Sequence, residues 1–171
     1  GANQFFCRYI PYELNKKYVT FLPLNRRKVL GINVQIGAEI QLRILAALVR
    51  KYCKPLHLTF NSLYYTPEQY PEIADVLRRC MSLGFSSFMI ADPALLIYLK
   101  NNGIRCEIHL SGELGEMNSS VVETFAEMNL KRIIFHRKNS TADMQAVIEA
   151  VERNQCSKAG QMEYEAFVLN E

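Results

Sequence analysis

Five short apolar runs, at 56–60, 87–91, 107–110, 132–135 and 163–169, each end in polar residues, and the first four then give way to a helical pattern. Run starts near 56, 87, 106, 132 and 163 repeat every 19 to 31 residues, the length of one βα unit. Strands rich in Ile, Phe and Val that alternate with helices of this length form a parallel sheet with the helices outside it. In such folds the side chains just past the carboxyl ends of the strands line the ligand crevice, because the helices occupy the flanks. Asn61, Asp92, Ser111, Glu113, His136, Arg137 and Glu171 are therefore expected to share one rim.

Helix boundaries are marked along the chain. Thr66-Pro67-Glu68-Gln69 supplies a hydroxyl cap, a proline at the first helical position and an acid in the first turn, and Asp92-Pro93 repeats the device. Asn118 or Ser119, and Ser140 or Thr141, cap two further helices; Gly84 and Asn102-Gly103 close two others. From residue 38 a helix is predicted with Ile40, Ile44, Ala47 and Leu48 along one face. Residues 1–37 read as irregular, with short strands at 5–10, 18–22 and 30–36 around a turn at 11–15, and residues 38–171 as repeating βα units of the same single domain.

An open doubly wound sheet and a barrel share this pattern. Gly112-Glu113-Leu114-Gly115 is GxxG rather than the dinucleotide fingerprint GxGxxG. Polar residues also recur after every strand instead of gathering at one switch point. Both features favour a TIM-barrel-like α/β fold. A full barrel takes about 250 residues, so a chain of 171 residues is expected to form an incomplete one.

Seventeen acidic against twenty basic residues leave a formal charge of +3 without long basic blocks. Arg26-Arg27-Lys28 reads as a solvated turn, so charge gives no support to nucleic-acid binding. No apolar run approaches the ~18–20 residues that span a bilayer, and residues 1–4 lack the basic start of a signal peptide. The expected compartment is the cytosol, with no membrane partner. Cys7, Cys53, Cys80, Cys106 and Cys156 are scattered and form no CxxC, so they offer no iron–sulfur or zinc ligand set, and Cys53, Cys80 and Cys106 read as small core residues.

Among the rim residues, Asp92, Glu113, His136 and Arg137 are the catalytic candidates, and Asn61, Ser111, Asn118 and Arg137 the substrate-binding ones. No metal ligands are assigned. Glu113 and Glu116, three apart past a strand, are the carboxylates that would share a divalent cation or divide acid and base duties. Asp92 serves equally as a helix cap. His109 falls on the same strand face as Ser111, too far along for the ~3 Å hydrogen bond of a nucleophile and its base, and reads as an interior hydrogen-bonded residue. Arg137, a guanidinium at a strand end, calls for an anionic partner: Glu113, Glu171, or the carboxylate or phosphate of a ligand. Tyr64-Tyr65 offers an aromatic wall beside Asn61.

Thr59-Phe60-Asn61, Ile90-Ala91-Asp92-Pro93, Ile108-His109-Leu110-Ser111 with Asn118 seven residues on, Phe135-His136-Arg137 and the run 163–169 follow one another in order. On these landmarks residues 56–171 resemble the collagenase-like peptidase family of unassigned catalytic type, family U-thirty-two. Two positions depart from the family pattern: Gly112-Glu113 stand where it has Thr-Gln, and Lys138-Asn139 where it has Glu-Leu. The resemblance implies a hydrolase, a protease acting on peptide or protein substrates, in a piece that lacks part of the active site. It also implies an alternative, in which the chain is scaffold for an iron–sulfur-dependent hydroxylation of RNA bases or quinone, with the cluster's cysteines outside these residues. A third reading is a non-catalytic module that binds anions through Arg137. An incomplete barrel also leaves sheet edges, and self-association through the open edge or coverage of the last strand by residues 5–22 is the expected remedy.

Overall fold

The computed structural model describes residues 2–18, 35–125, 128–155 and 162–168. Six strands, β1 (Phe5–Arg8), β2 (Leu56–Phe60), β3 (Ser87–Ile90), β4 (Glu107–Leu110), β5 (Leu130–Ile134) and β6 (Glu163–Glu165), lie side by side in chain order. Every neighbouring pair is parallel. The helices are α1 (Tyr12–Tyr18), α2 (Glu39–Tyr52), α3 (Gln69–Ser82), α4 (Pro93–Asn101), α5 (Ser119–Phe125) and α6 (Thr141–Gln155). The result is the incomplete α/β barrel that the repeat predicts. The sheet curls strongly. In a flat sheet the first and fifth strands would stand about 19 Å apart, yet Arg132 Nη2 on β5 donates to Oε1 of Gln4, just before β1, at 2.6 Å.

Strand alternation sorts the side chains. Leu58, Phe60, Phe88, Ile90, Ile108, Leu110, Ile133 and Phe135 point outward and are buried with Ile73, Leu77, Leu95, Leu96, Val122, Val147 and Val151 of the helices. The opposite parity faces the interior and is largely polar: His57 and Thr59, Ser87, Glu107 and His109, Arg132, Glu163 and Glu165. The hydrophobic core is thus the layer between sheet and helices. The concave face is free to carry chemistry.

Several local expectations change. Residues 12–18, expected as a turn and the start of a strand, are helical. Glu13 in the first turn and Lys16 and Lys17 in the last complement the helix dipole, and Tyr18 Oη donates to Glu72 on α3 at 3.0 Å. The strand expected at 30–36 is described only from Gln35, where Ile36 makes a parallel bridge to Tyr9; residues 19–34, with Arg26-Arg27-Lys28, lie outside the described residues. In α2 the buried face is Leu42 and Ala46, while Ile40, Ile44 and Leu48 are exposed. Both faces are apolar, so periodicity alone could not choose between them. Strand β5 begins two residues before the run at 132–135 and ends one residue before its close, which sets Arg132 in mid-strand and leaves His136 and Arg137 in the turn beyond it. β6 is three residues long, with Phe167 and Val168 exposed after it. Residues 5–18 do not cover it: β1 is at the opposite edge, paired with β2.

Candidate functional site

A cavity of about 460 Å³ opens at the carboxyl ends of the strands. Phe6 and Arg8 come from β1, Thr59 from β2 and Asn61 just after it, Met89 from β3, Ser111, Gly112 and Glu113 from the turn after β4, Ile134 from β5 and Arg137 from the turn beyond it, and Glu165 from β6 with Phe167 after it. The loop after β4 shapes its floor. Ser111 N donates to Ile90 O at 2.9 Å, and Ser111 Oγ accepts from Glu113 N at 3.3 Å to start a short 3-10 turn. Gly112 lies against β5 so closely that a Cβ there would stand 2.8 Å from Ile134 O and 2.7 Å from Phe135 O. Only glycine fits this position. Across the loop, buried Asn139 ties two segments together: its Oδ1 accepts from Met117 N and His136 N, both at 3.1 Å, and its Nδ2 donates to Met117 O.

Arg137 is exposed, its guanidinium 5.3 Å from the centre of the Phe167 ring, and it makes no ion pair among the described residues. From the sequence, Arg137 called for an anionic partner, Glu113, Glu171 or a ligand; Glu171 lies outside the described residues. Because β5 stops at Ile134, Arg137 stands in solvent at the cavity's edge. The Thr59 hydroxyl is buried in the cavity wall without a hydrogen-bond partner among the described residues.

A second polar group occupies the amino-terminal half of the concave face. His57 Nδ1 lies 2.6 Å from Ser87 Oγ and its Nε2 3.1 Å from Gln4 Oε1. Gln4 Oε1 also receives Arg132 Nη2, so the consistent tautomer has His57 Nε2–H donating to Gln4 and Ser87 Oγ–H donating to Nδ1. The His57 and His109 rings meet with centroids 4.3 Å apart. They come from β2 and β4, and they reach one another because β3 places only the short Ser87 between His57 and Glu107 in the register. His109 Nε2 is 2.9 Å from Glu107 Oε1, and Arg132 bonds Glu163 and Glu165. Burial, then the neighbouring His109 and Arg132, pushes the His57 pKa down to about 4; burial also lowers that of His109. The Arg132 hydrogen bond holds the Glu163 carboxyl below its ordinary range.

The sequence pattern of peptidase family U32 matches residues 30–171. The chain belongs to peptidase family U32. No curated protein matches it in sequence. Among solved structures it resembles the U32 peptidase Mk0906, with a TM-score of 0.61 and 12% identity over 96% of this chain and 68% of that one. It also resembles a glycerophosphodiester phosphodiesterase from Parabacteroides distasonis, with a TM-score of 0.59 and 10% identity over 99% of this chain and 72% of that one. At these identities the likeness is one of fold.

The structure of this U32-family chain sorts the residues singled out from the sequence. Asn61, Ser111, Glu113 and Arg137 line one cavity. Asp92 does not: its Oδ1 caps α4 by accepting from Ala94 N, and its Oδ2 accepts from Tyr70 Oη, both at 2.9 Å. Asn118 is exposed and caps α5 through Val121 N. His136 sits in the turn, where Nδ1 accepts from Lys138 N at 3.3 Å, and Glu116 is exposed outside the cavity lining. Tyr65 is buried edge-on against Tyr70, while Tyr64 faces solvent. Glu171 lies outside the described residues, as does Cys156. Cys53, expected in the core, is the exposed left-handed cap of α2; Cys80 and Cys106 are buried, and burial pushes their thiols up to about 12 and about 11. Arg132 and His57 were not among the sequence candidates. The signal for His57 was the strict alternation Leu56-His57-Leu58-Thr59-Phe60-Asn61, which sets a polar row on one face; Arg132, in Leu130-Lys131-Arg132-Ile133-Ile134, had no such pattern.

Proposed function

We propose that this U32-family domain binds peptides in the carboxyl-end cavity, with Arg137 holding a peptide carboxylate. The observation that carries this reading is an exposed guanidinium without an ion pair among the described residues, at the edge of a cavity that also presents Arg8 and the unpartnered Thr59 hydroxyl. A guanidinium presents paired donors that match a carboxylate, and the Phe167 and Met89 surfaces give an apolar wall for the adjoining side chain. Of the candidate catalytic groups, Glu113 and Arg137 line this cavity, whereas Asp92 and His136 are engaged in a cap and a turn. In the hydrolysis proposed here Glu113 takes a proton from water as it adds to the peptide carbonyl and passes it to the leaving amine, while Arg137 holds the carboxylate. Ser111 is a poor nucleophile, since its Oγ accepts from Glu113 N and His109 bonds Glu107. The cytosol remains the compartment we assign, supported by the free thiols Cys7, Cys53, Cys80 and Cys106.

Calorimetry with a set of short peptides, each as free acid and as carboxyl-terminal amide, tests the reading. Free acids should bind more tightly, and Arg137→Ala should erase the difference. Equal binding of acid and amide by the unaltered chain would remove the carboxylate anchor. Mass spectrometry of the same mixtures reads cleavage, which Glu113→Gln should abolish without loss of binding.

A further inference from the structure

The polar group in the amino-terminal half of the concave face plays no part in peptide capture, and its donor set is specific. We propose that His57, Glu107 and His109 bind one zinc-class divalent cation inside the half-barrel. Each offers one ligand atom, and the three atoms lie within 4.8 Å of one another. Ligand atoms of a tetrahedral Zn²⁺ with imidazole and carboxylate bonds sit about 3.3 Å apart, so closure requires small side-chain rotations and no movement of the strands. His109 and Glu107 are already at 2.9 Å.

Three further observations point to a cation. First, His109 is fully buried and its Nδ1 has no hydrogen-bond partner among the described residues. An orphaned ring nitrogen in a wholly buried side chain is a place where a bound ion or water supplies the missing contact. Second, His57 has an outer partner of the kind that orients a metal ligand: Ser87 Oγ lies 2.6 Å from Nδ1 and accepts from Nδ1–H in the tautomer that frees Nε2 for the ion. Third, Glu107, Glu163 and Glu165 outweigh the neighbouring cations, because Arg132 and Lys131 are drawn to Glu163 and Glu165 rather than to Glu107. Two imidazoles with one carboxylate suit Zn²⁺ over Mg²⁺ or Ca²⁺, which prefer all-oxygen shells. Three protein ligands leave a fourth position.

The test is a titration of the chelator-treated 171-residue chain with Zn²⁺ by calorimetry, alongside Co²⁺ absorption spectroscopy. The expected result is one Zn²⁺ per chain, no competition by millimolar Mg²⁺ or Ca²⁺, and a Co²⁺ spectrum without a thiolate charge-transfer band. His57→Gln combined with His109→Gln should weaken binding by about a hundredfold or more, and Ser87→Ala by about tenfold through the outer partner alone. Cys53→Ser should change nothing. If the double variant does not fold, Ser87→Ala and the Co²⁺ spectrum decide. Absence of Zn²⁺ uptake, a thiolate band, a preference for Ca²⁺ or Mg²⁺, or undiminished binding in Ser87→Ala would each overturn the site.

Discussion

The two ends of the concave face are built from the same strands, yet their polar groups behave differently. At the amino end they bond one another: His57 to Ser87 and Gln4, His109 to Glu107, Arg132 to Glu163, Glu165 and Gln4. At the carboxyl end the strands stop and a turn carries Arg137, which stands exposed, while the Thr59 hydroxyl near the end of β2 has no partner among the described residues. Polar side chains on adjacent strands are held at fixed spacing and can satisfy each other. Those on loops past the strand ends diverge and are left for a ligand. One end is tied together by its own side chains, with His109 Nδ1 left over among the described residues; the other presents its groups outward.

The largest effect that would break this contrast concerns pH. An unfolded chain protonates His57 near 6.5, whereas the folded protein holds it neutral down to about 4. Between these values the unfolded state binds more protons, so the contribution is fully present above pH 6.5 and is lost as pH falls toward 4. That amounts to roughly 3 kcal/mol for this imidazole. Urea unfolding in chelator across that range should show the slope, and His57→Gln should flatten it. A slope unchanged in the variant would mean that the amino-end network does not hold the ring neutral.

Next comes Arg132→Met, which strands Glu163 and Glu165 beside each other. The expected loss is about 2–3 kcal/mol, less than for a fully buried ion pair because solvent screens the two carboxylates, which are 42% and 44% exposed. The Glu163 part of this stability is present above the ordinary carboxylate pKa and is lost as pH falls through its lowered folded value. In the variant, that acid limb should shrink. Gly112→Ala sharpens the other side of the comparison. Its methyl group meets two backbone carbonyls, and a loss of about 1–3 kcal/mol in thermal unfolding should accompany a distorted cavity. The smallest effect on stability belongs to Arg137→Ala, at below about 0.5 kcal/mol. The same change should weaken carboxylate peptides by about 1–2 kcal/mol, roughly five- to thirtyfold in Kd. If Arg137→Ala cost as much stability as Arg132→Met, the division between the two ends would fail.

Much of the fold was legible because the apolar runs and the caps agree. Asp92-Pro93 opens α4, Asn118 caps α5, and the parallel strands follow in chain order as the repeat length requires. Of the site, Asn61, Ser111, Glu113 and Arg137 were legible as strand-end residues, and they do line one cavity. Asp92 and His136 show the limit of that inference. A polar residue past a strand can be used up by the next helix or by its own turn, and only the backbone path decides which. Arg132 was not singled out, for a related reason. Two residues of difference in where β5 begins move it from the edge of a run to the middle of the concave face.

Local periodicity and capping chemistry, both short-range properties, settled by themselves that this chain alternates strands with helices, that the strands run parallel and that an apolar layer lies between sheet and helices. The curl of the sheet was decided at longer range. It brings Gln4 to Arg132, sets the His57 ring on His109 across a serine and turns one face of α2 outward, and each of these depends on residues far apart in sequence. A side chain's own strand fixes which face it takes. Which partner it meets there is fixed by the register and curvature of strands it does not belong to.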